Sequence, residues 1–321
     1  MTSNIVLSTK EYKAIGTRPV RHDGYEKVTG KARYAADVHL PEMLHGMVVR
    51  SPHPHAKIIS IDTSRAESHP DVRAVMTSVD LPEPGNSVRE LSSNILARDK
   101  VLYKGHPVAA VAAVSSHVAE EALDLIDVEY EVLPSFMTAP ESMKEDATPI
   151  HEEMTTAFGG KDTGKHSNVP VHTQFSLGNV EKGFQEADLV LEREFTTRTV
   201  HQGYIEPQTS TAMWNPNGEI TIWTSNQGHF GVRNNTAGLL GIPVSQVRVI
   251  PMEIGGGFGG KISIYLDPIV AVLSKKTGHP VKAVMTRTEV LEATGPGAGT
   301  YMWVKIGVRK DGKMVAGQAH L

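Results

Sequence analysis

An α+β fold in two units joined by a polar linker is what the sequence predicts, and three observations carry it. Residues 101–134 read as strand, helix and strand; the stretch that follows loses hydrophobic periodicity; and a second series of alternating and helical segments begins near Gly178. The boundaries on this reading are 1–140 for the first unit, 141–175 for the linker and 176–321 for the second unit. With 321 residues and 40% hydrophobic content, the chain is long enough to bury two cores.

In order along the chain, a polar lead is followed by strand-like segments at Met43–Ser51 and Ala56–Asp62, punctuated by Pro, His and Gly. VLYKGHPVAAVAAV is apolar around a Gly105 turn, HVAEEALDLI repeats apolar residues at helical spacing, and Asp127–Leu133 alternates as a strand ending at Pro134. The linker is rich in Pro, Gly, Asp, Lys and His. Beyond it, NVEKGFQEA suggests a helix and LVLEREFTTRTV a strand. TSTAMW and EITIWT flank Asn215-Pro216-Asn217-Gly218, a hairpin signal because Asn and Gly tolerate positive φ. HFGVRNNTAGLLG reads as a helix closed by Gly241, and QVRVIPMEI as a strand. IYLDPIVAVLSKKTG is a helix with Pro268 in its first turn and Gly278 after its last. Strand VKAVMTR and a hairpin through Asp311-Gly312 complete the series, and Trp223 and Trp303 are read as core residues on strands. The last strand runs to Leu321 with no polar cap after it, so the expectation is a chain that stops within a domain.

The bulk chemistry excludes several classes. A formal charge of −4 and no run of five basic residues argue against nucleic acid as a partner. The chain has no cysteine, so it supplies neither disulfides nor thiolate ligands for iron–sulfur clusters. The N-terminus has no basic start followed by an apolar core, and no 18-residue apolar run occurs, so no membrane association is expected and the location is read as cytoplasmic.

The most informative stretch is Gly255-Gly256-Gly257-Phe258-Gly259-Gly260-Lys261, between a strand and a helix. Glycines at this density let backbone N–H groups converge on an anionic or oxo-bearing ligand, because no Cβ blocks close approach. Phe258 is a different device: its ring can pack on a flat substrate or wall the site against water. The string also fits most of a phosphate-binding P-loop in the strand–loop–helix context that motif requires, but Ile262 stands where a Ser or Thr must hold Mg²⁺. A turn that only reverses the chain is the plainer reading. His53-Pro54-His55 offers two imidazoles with no third ligand evident and is read as a turn; His201 is read as a packed or hydrogen-bonded histidine near the site.

GGGFGGK, preceded by TSNQGHFGVRNNTAGLLGIPVSQVRVI and followed by KTGHPVKAVMTRTE, resembles the first cofactor-contacting part of the molybdenum hydroxylase family, whose members include xanthine dehydrogenase and aldehyde oxidase. GTRPVRHDGYEKVTGKARYAADVHLPEMLHGMVVRSPHPHAKI resembles the opening of that family's α/β-hammerhead domain, and YKGHPVAAVAA with EEALDLIDVEYEVLP its end. His201-x4-Glu206-Pro207 resembles a further family element. Nearly the whole chain is covered, by several blocks in the family's order.

The resemblance implies a hammerhead domain followed by the first part of a molybdenum-cofactor-binding domain, as in split-subunit members such as nicotinate dehydrogenase. It implies cofactor contacts at Gly256, Gly257, Phe258, Gly259 and Gly260, with the backbone N–H groups of residues 257–259 beside the metal's oxygen ligands. The metal has no protein ligand and is held through the pterin dithiolene, which suits a cysteine-free chain. A side-chain amide before the helix normally bonds an oxo ligand. The family's common order is Gln before Asn, whereas this chain reads Asn226-Gln227, and counting back from His229-Phe230 places Asn226 at the site with Gln227 beside it. Some purine-hydroxylating members carry an acidic residue where this chain has Ile262, which argues against xanthine as the substrate.

The family's glutamate general base comes from a Gly-rich segment near the end of a full-length subunit and is expected on a partner chain. Glu206 and Glu253 are read as structural hydrogen-bonding residues rather than as that base. The implied cofactor is molybdenum–molybdopterin, with the cytosine dinucleotide form among its candidates. The implied partners are a chain carrying the remainder of the molybdopterin subunit, a [2Fe–2S] subunit, an FAD subunit and a small-molecule substrate. The function expected is hydroxylation of an aldehyde, N-heterocycle or related carbon centre with water; the alternatives are a non-catalytic fragment or assembly scaffold, and a P-loop-like nucleotide-binding protein.

Overall fold

A computed structural model describes residues 12–83 and 89–321. The start of the polar lead, residues 1–11, lies outside the described residues.

The chain opens with a short helix α1 (Gly24–Val28), then strands β1 (Leu44–Arg50) and β2 (Ala56–Asp62), helix α2 (Ser64–Glu67), strand β3 (Val72–Thr77) and helix α3 (Arg89–Ile95). Strands β4 (Lys100–Val101) and β5 (Pro107–Ala113), helix α4 (Ser116–Leu123), strand β6 (Asp127–Val132) and helix α5 (Ala139–Ser142) follow. Next come β7 (Thr155–Phe158), β8 (Lys161–His166), β9 (Val171–His172), α6 (Val180–Gln185), β10 (Leu189–Thr197), β11 (Thr209–Trp214) and β12 (Ile220–Thr224). The series closes with α7 (His229–Leu240), β13 (Val247–Pro251), α8 (Asp267–Thr277), β14 (Val281–Val284), α9 (Arg287–Ala293), β15 (Thr300–Val308) and β16 (Met314–His320).

A seven-stranded mixed sheet, in the order β13-β12-β11-β14-β1-β5-β3, joins the two halves of the sequence. The seam is the parallel pair β1–β14, where Leu44 faces Val281 and Gly46 faces Ala283. Strand β5 is a run of Ala and Val buried at every position because both its faces are covered. On one side Ala110 and Ala112 join the main core with helix α8, buried from Asp267 to Ser274; on the other Ala109, Val111 and Ala113 pack with α4 residues Ala119 and Ala122. Helices α7 and α8 end at Gly241 (φ 65°) and Gly278 (φ 71°), where the sequence places their stops.

Two sequence expectations change. The stretch 141–175, read as an irregular linker, carries the three-stranded sheet β8-β7-β9. Its strands have no alternating apolar face, β8 being exposed throughout, so hydrophobic periodicity has nothing to detect. Side-chain bonds help hold it: Asn168 accepts from Ile150 N at 2.8 Å and donates to Ser142 O and Thr148 O at 3.1 Å. Trp303 and Trp223, read as core, are only partly buried, and the Trp303 indole donates to Glu192 on the small sheet β10-β15-β16.

One buried group gives a pH prediction. His106 is fully buried, stacked on Tyr103 with ring centroids 4.5 Å apart. Its Nδ1 accepts from Leu102 N at 3.1 Å, so Nε2 carries the proton donated to Ser93 O at 2.7 Å. A second proton would face the Leu102 N–H, and burial drags the pKa from 6.5 down to about 4. The unfolded chain therefore binds this proton first: the neutral ring's contribution is intact above pH 6.5 and is lost as pH falls towards 4, about 3 kcal/mol in all. Denaturant unfolding measured between pH 7 and 4 should show that slope, and His106→Gln should flatten it.

Candidate functional site

Strands β12 and β13 run parallel as neighbours, so their carboxyl ends open at the same edge of the sheet, where ligands of open sheets with parallel strands commonly bind. The segment 225–228 leaves β12 there, and 252–261 leaves β13. Because β11 is antiparallel to β12, the segment 201–208 that enters β11 arrives at the same place. Three distant pieces of sequence meet around the glycine loop.

The loop is clasped at both ends. At its start, Gly255 N donates to Glu206 Oε2 at 2.7 Å, and Glu206 N donates back to Gly255 O at 3.3 Å. At its end, Gln227 N donates to Lys261 O at 2.8 Å, while Gln227 Oε1 accepts from Gly259 N at 3.1 Å and Lys261 N at 3.2 Å. Lys261 then ties the two clasps together: its Nζ lies 2.7 Å from Glu206 Oε2 and 4.9 Å from the centroid of the Tyr204 ring. The lysine side chain is 0% exposed and burial pushes its pKa down, opposed by Glu206. This removes the P-loop reading, since a lysine sealed beneath the loop cannot reach a phosphate.

Tyr204 and His201 anchor the third segment. His201 Nδ1 accepts from Gly203 N, so Nε2–H donates to Thr294 Oγ1 at 2.9 Å; the Tyr204 hydroxyl donates to the same oxygen at 2.8 Å, and Thr294 donates onward to Val290 O. Gln208 Nε2 in turn donates to Tyr204, and Arg287 holds the carbonyls of Tyr204 and Ile205.

Between the clasps Phe258 and Gly259 are exposed, Gly256 is half-buried and Gly257 is buried. Phe258 is 73% exposed and adopts φ 52°, which costs a non-glycine residue about 1–2 kcal/mol. Among the described residues, no acceptor takes the backbone N–H groups of Gly256, Gly257 or Phe258, whereas Gly259 N is spent on Gln227 and Gly260 N on Gly257 O. Consecutive unpaired amides of this kind are donors left over for an anionic or oxo-bearing ligand. Phe258→Gly should relieve the strain and leave thermal unfolding unchanged or raised by up to about 1 kcal/mol, because so exposed a ring adds little burial.

The two amide candidates divide. Asn226 is buried with both ends occupied, Oδ1 accepting from Gly228 N at 2.7 Å and Nδ2 donating to Ser263 O at 3.0 Å. Gln227 is exposed, and only its oxygen is engaged in the clasp; its Nε2 has no acceptor among the described residues. The count from His229-Phe230 selects Asn226, but the geometry leaves Gln227 as the amide with a donor to offer. Glu253 pairs with Lys27 at 2.9 Å, away from any such role. His55, buried, bonds Pro134 O, and no group of three acidic, His or Cys side chains is placed to hold a metal among the described residues.

Comparison with known proteins identifies the two domains. Residues 29–134 match the model of the aldehyde oxidase and xanthine dehydrogenase a/b hammerhead domain, and residues 161–321 match that of the molybdopterin cofactor-binding domain. The chain is 33% identical to the nicotinate dehydrogenase large molybdopterin subunit of Eubacterium barkeri, over 97% of this chain and 71% of that one. It is 34% identical to the carbon monoxide dehydrogenase large chain of Afipia carboxidovorans, over 97% of this chain and 40% of that one. The structure of reconstituted CO dehydrogenase from Oligotropha carboxidovorans superposes with a TM-score of 0.81 at 32% identity, covering 95% of this chain and 39% of the other. The chain thus spans most of one relative but well under half of the others.

Proposed function

Because the chain belongs to the molybdenum hydroxylase family of xanthine dehydrogenase and aldehyde oxidase, with hammerhead and molybdopterin-binding domains in succession, we propose that it forms one half of a catalytic unit oxidising a small carbon substrate. The observation that carries this reading is the row of unpaired amides at Gly256, Gly257 and Phe258, held in place by Glu206, Lys261 and Gln227. These donors suit the oxygen-rich, anionic surroundings of a pterin-held metal, and the neighbouring Gln227 Nε2 adds a further donor. When bound, molybdenum–molybdopterin supplies two-electron oxidation with water as the oxygen source.

This chain's own residues orient and shield. The amides and Gln227 would hold the cofactor through its oxygen atoms, the exposed Phe258 ring would shield it from water, and the buried Glu206–Lys261 ion pair keeps the loop from collapsing inward. The general base is placed on a second polypeptide carrying the remainder of the molybdopterin subunit. The dinucleotide form of the pterin, an iron–sulfur subunit, an FAD subunit to receive electrons and a cytoplasmic location complete the proposal. No helix among the described residues is long and apolar enough to cross a membrane. Purified with its native partners, the assembly should contain molybdenum together with iron and flavin. Iron without molybdenum in an intact assembly would defeat the reading.

A further inference from the structure

The glycine loop has a third support, supplied by the lead that precedes β1. Helix α1 is folded back onto the residues after it, because Glu26 O accepts from both Lys31 N at 2.9 Å and Ala32 N at 3.0 Å. From this unit two groups reach Glu253, two positions before Gly255. Lys27 Nζ lies 2.9 Å from the Glu253 carboxylate, and Arg33 O accepts from the Glu253 backbone N–H at 3.1 Å, with Tyr34 paired parallel to it. Asp23 steadies the lysine at 2.8 Å and is itself held by Arg21. A few residues on, the buried Lys282 of β14 donates from Nζ to Ala36 O at 3.0 Å and to Val38 O at 3.1 Å. The lead is a strap, tied to the main sheet at one end and hooked onto the entry of the loop at the other.

We propose that Lys27 is a positioning residue for the cofactor site: by fixing Glu253 it sets where the amides of residues 256–258 stand, and so how tightly the cofactor is held. Two observations favour this over a general contribution to stability. Residues 21–34 bury no side chain, so they add little to the core, and their order depends on these few polar contacts. The hook also falls next to an independent clasp: Glu253 is gripped by the strap and Gly255 by Glu206, which leaves Ile254 little freedom between them. Donors that have no acceptor in the loop itself are held ready for a ligand only by what braces the backbone around them, and bracing before binding raises affinity. The inference rests on the proposed cofactor site.

Amide exchange of this chain and molybdenum retention by its native assembly, measured on the same variants, test the proposal. In K27M, exchange across residues 252–261 should quicken roughly two- to fivefold, the opening expected when a partly buried surface ion pair is lost. Exchange in β11 and β14 and the thermal midpoint should stay at their wild-type values. K27R should match wild type, K27E should quicken exchange further, and the swap K27E/E253K should slow it again. Molybdenum should leave the K27M assembly in dilute urea faster by a similar factor, and leave the K27R assembly at the wild-type rate. Unchanged exchange in K27E would overturn the proposal, as would quickened exchange with molybdenum lost at the wild-type rate, or a fall in thermal midpoint large enough to account for both effects. A wild-type assembly without molybdenum would instead defeat the functional reading, and the exchange comparison alone would then decide whether Lys27 fixes the loop.

Discussion

Glu206→Ala is expected to lower the stability of the chain by roughly 3–5 kcal/mol, the cost of leaving a buried charge without its partner. The substitution strands the Lys261 ammonium, 0% exposed, and takes the acceptor from Gly255 N at the same stroke. The sign of the pH response follows from Lys261. Burial already depresses its pKa below 10.5, and Glu206 is what opposes that shift, so the variant's folded form sheds the proton more readily still. With a folded pKa below the unfolded one, stability rises as pH climbs through the window between them, and the gap to wild type should narrow from neutral pH towards pH 10. E206L/K261M, which removes both charges, should recover much of the stability without restoring the loop's position. Denaturant unfolding of the three proteins, with molybdenum content of the corresponding assemblies, separates the two effects.

Gly257→Ala is expected to act on cofactor retention rather than on folding. The backbone there can accept an L residue, but the added Cβ would lie 2.6 Å from Gln227 Oε1, 2.7 Å from its Cδ and 3.1 Å from its Cγ. Gln227 is exposed and can swing away, so stability should fall by only roughly 1 kcal/mol. Swinging away breaks both of its bonds into the loop, to Gly259 N and Lys261 N, and carries Nε2 out of place. Losing the Nε2 donor to an anionic oxygen, at about 1.5–3 kcal/mol, corresponds to roughly a ten- to hundredfold loss of cofactor affinity. G257A/Q227A should be no worse than Q227A, because the clash is then gone; additive losses in that cycle would show that Gly257 matters for another reason.

Much of the fold is legible in the sequence wherever local chemistry decides it. The stops of α7 and α8 at Gly241 and Gly278 and the β11–β12 hairpin follow from glycine and turn residues alone. The β1–β14 seam is not legible, because a parallel pair between Leu44 and Val281 leaves no trace in either segment's own pattern. Nor is the β8-β7-β9 sheet, whose strands are polar and held by Asn168 and neighbouring hydroxyls. The site divides in the same way. Glycine density exposes the loop, but the residue that braces it from below, Glu206, lies 55 positions from Lys261. Only the His201-x4-Glu206-Pro207 block signals that segment. Which of Asn226 and Gln227 faces outward depends on the bonds each makes to Ser263, Gly228, Gly259 and Lys261, and adjacency in sequence cannot rank them.

The central claim is that the unpaired amides around Phe258 seat a pterin-held metal, and locating molybdenum by anomalous scattering at its absorption edge, in crystals of the native assembly, tests it most directly. The account predicts a single strong peak beside Gly257 and Phe258, weakened in G257A. A molybdenum peak elsewhere in the assembly, with that loop covered by ordinary protein packing, would contradict it.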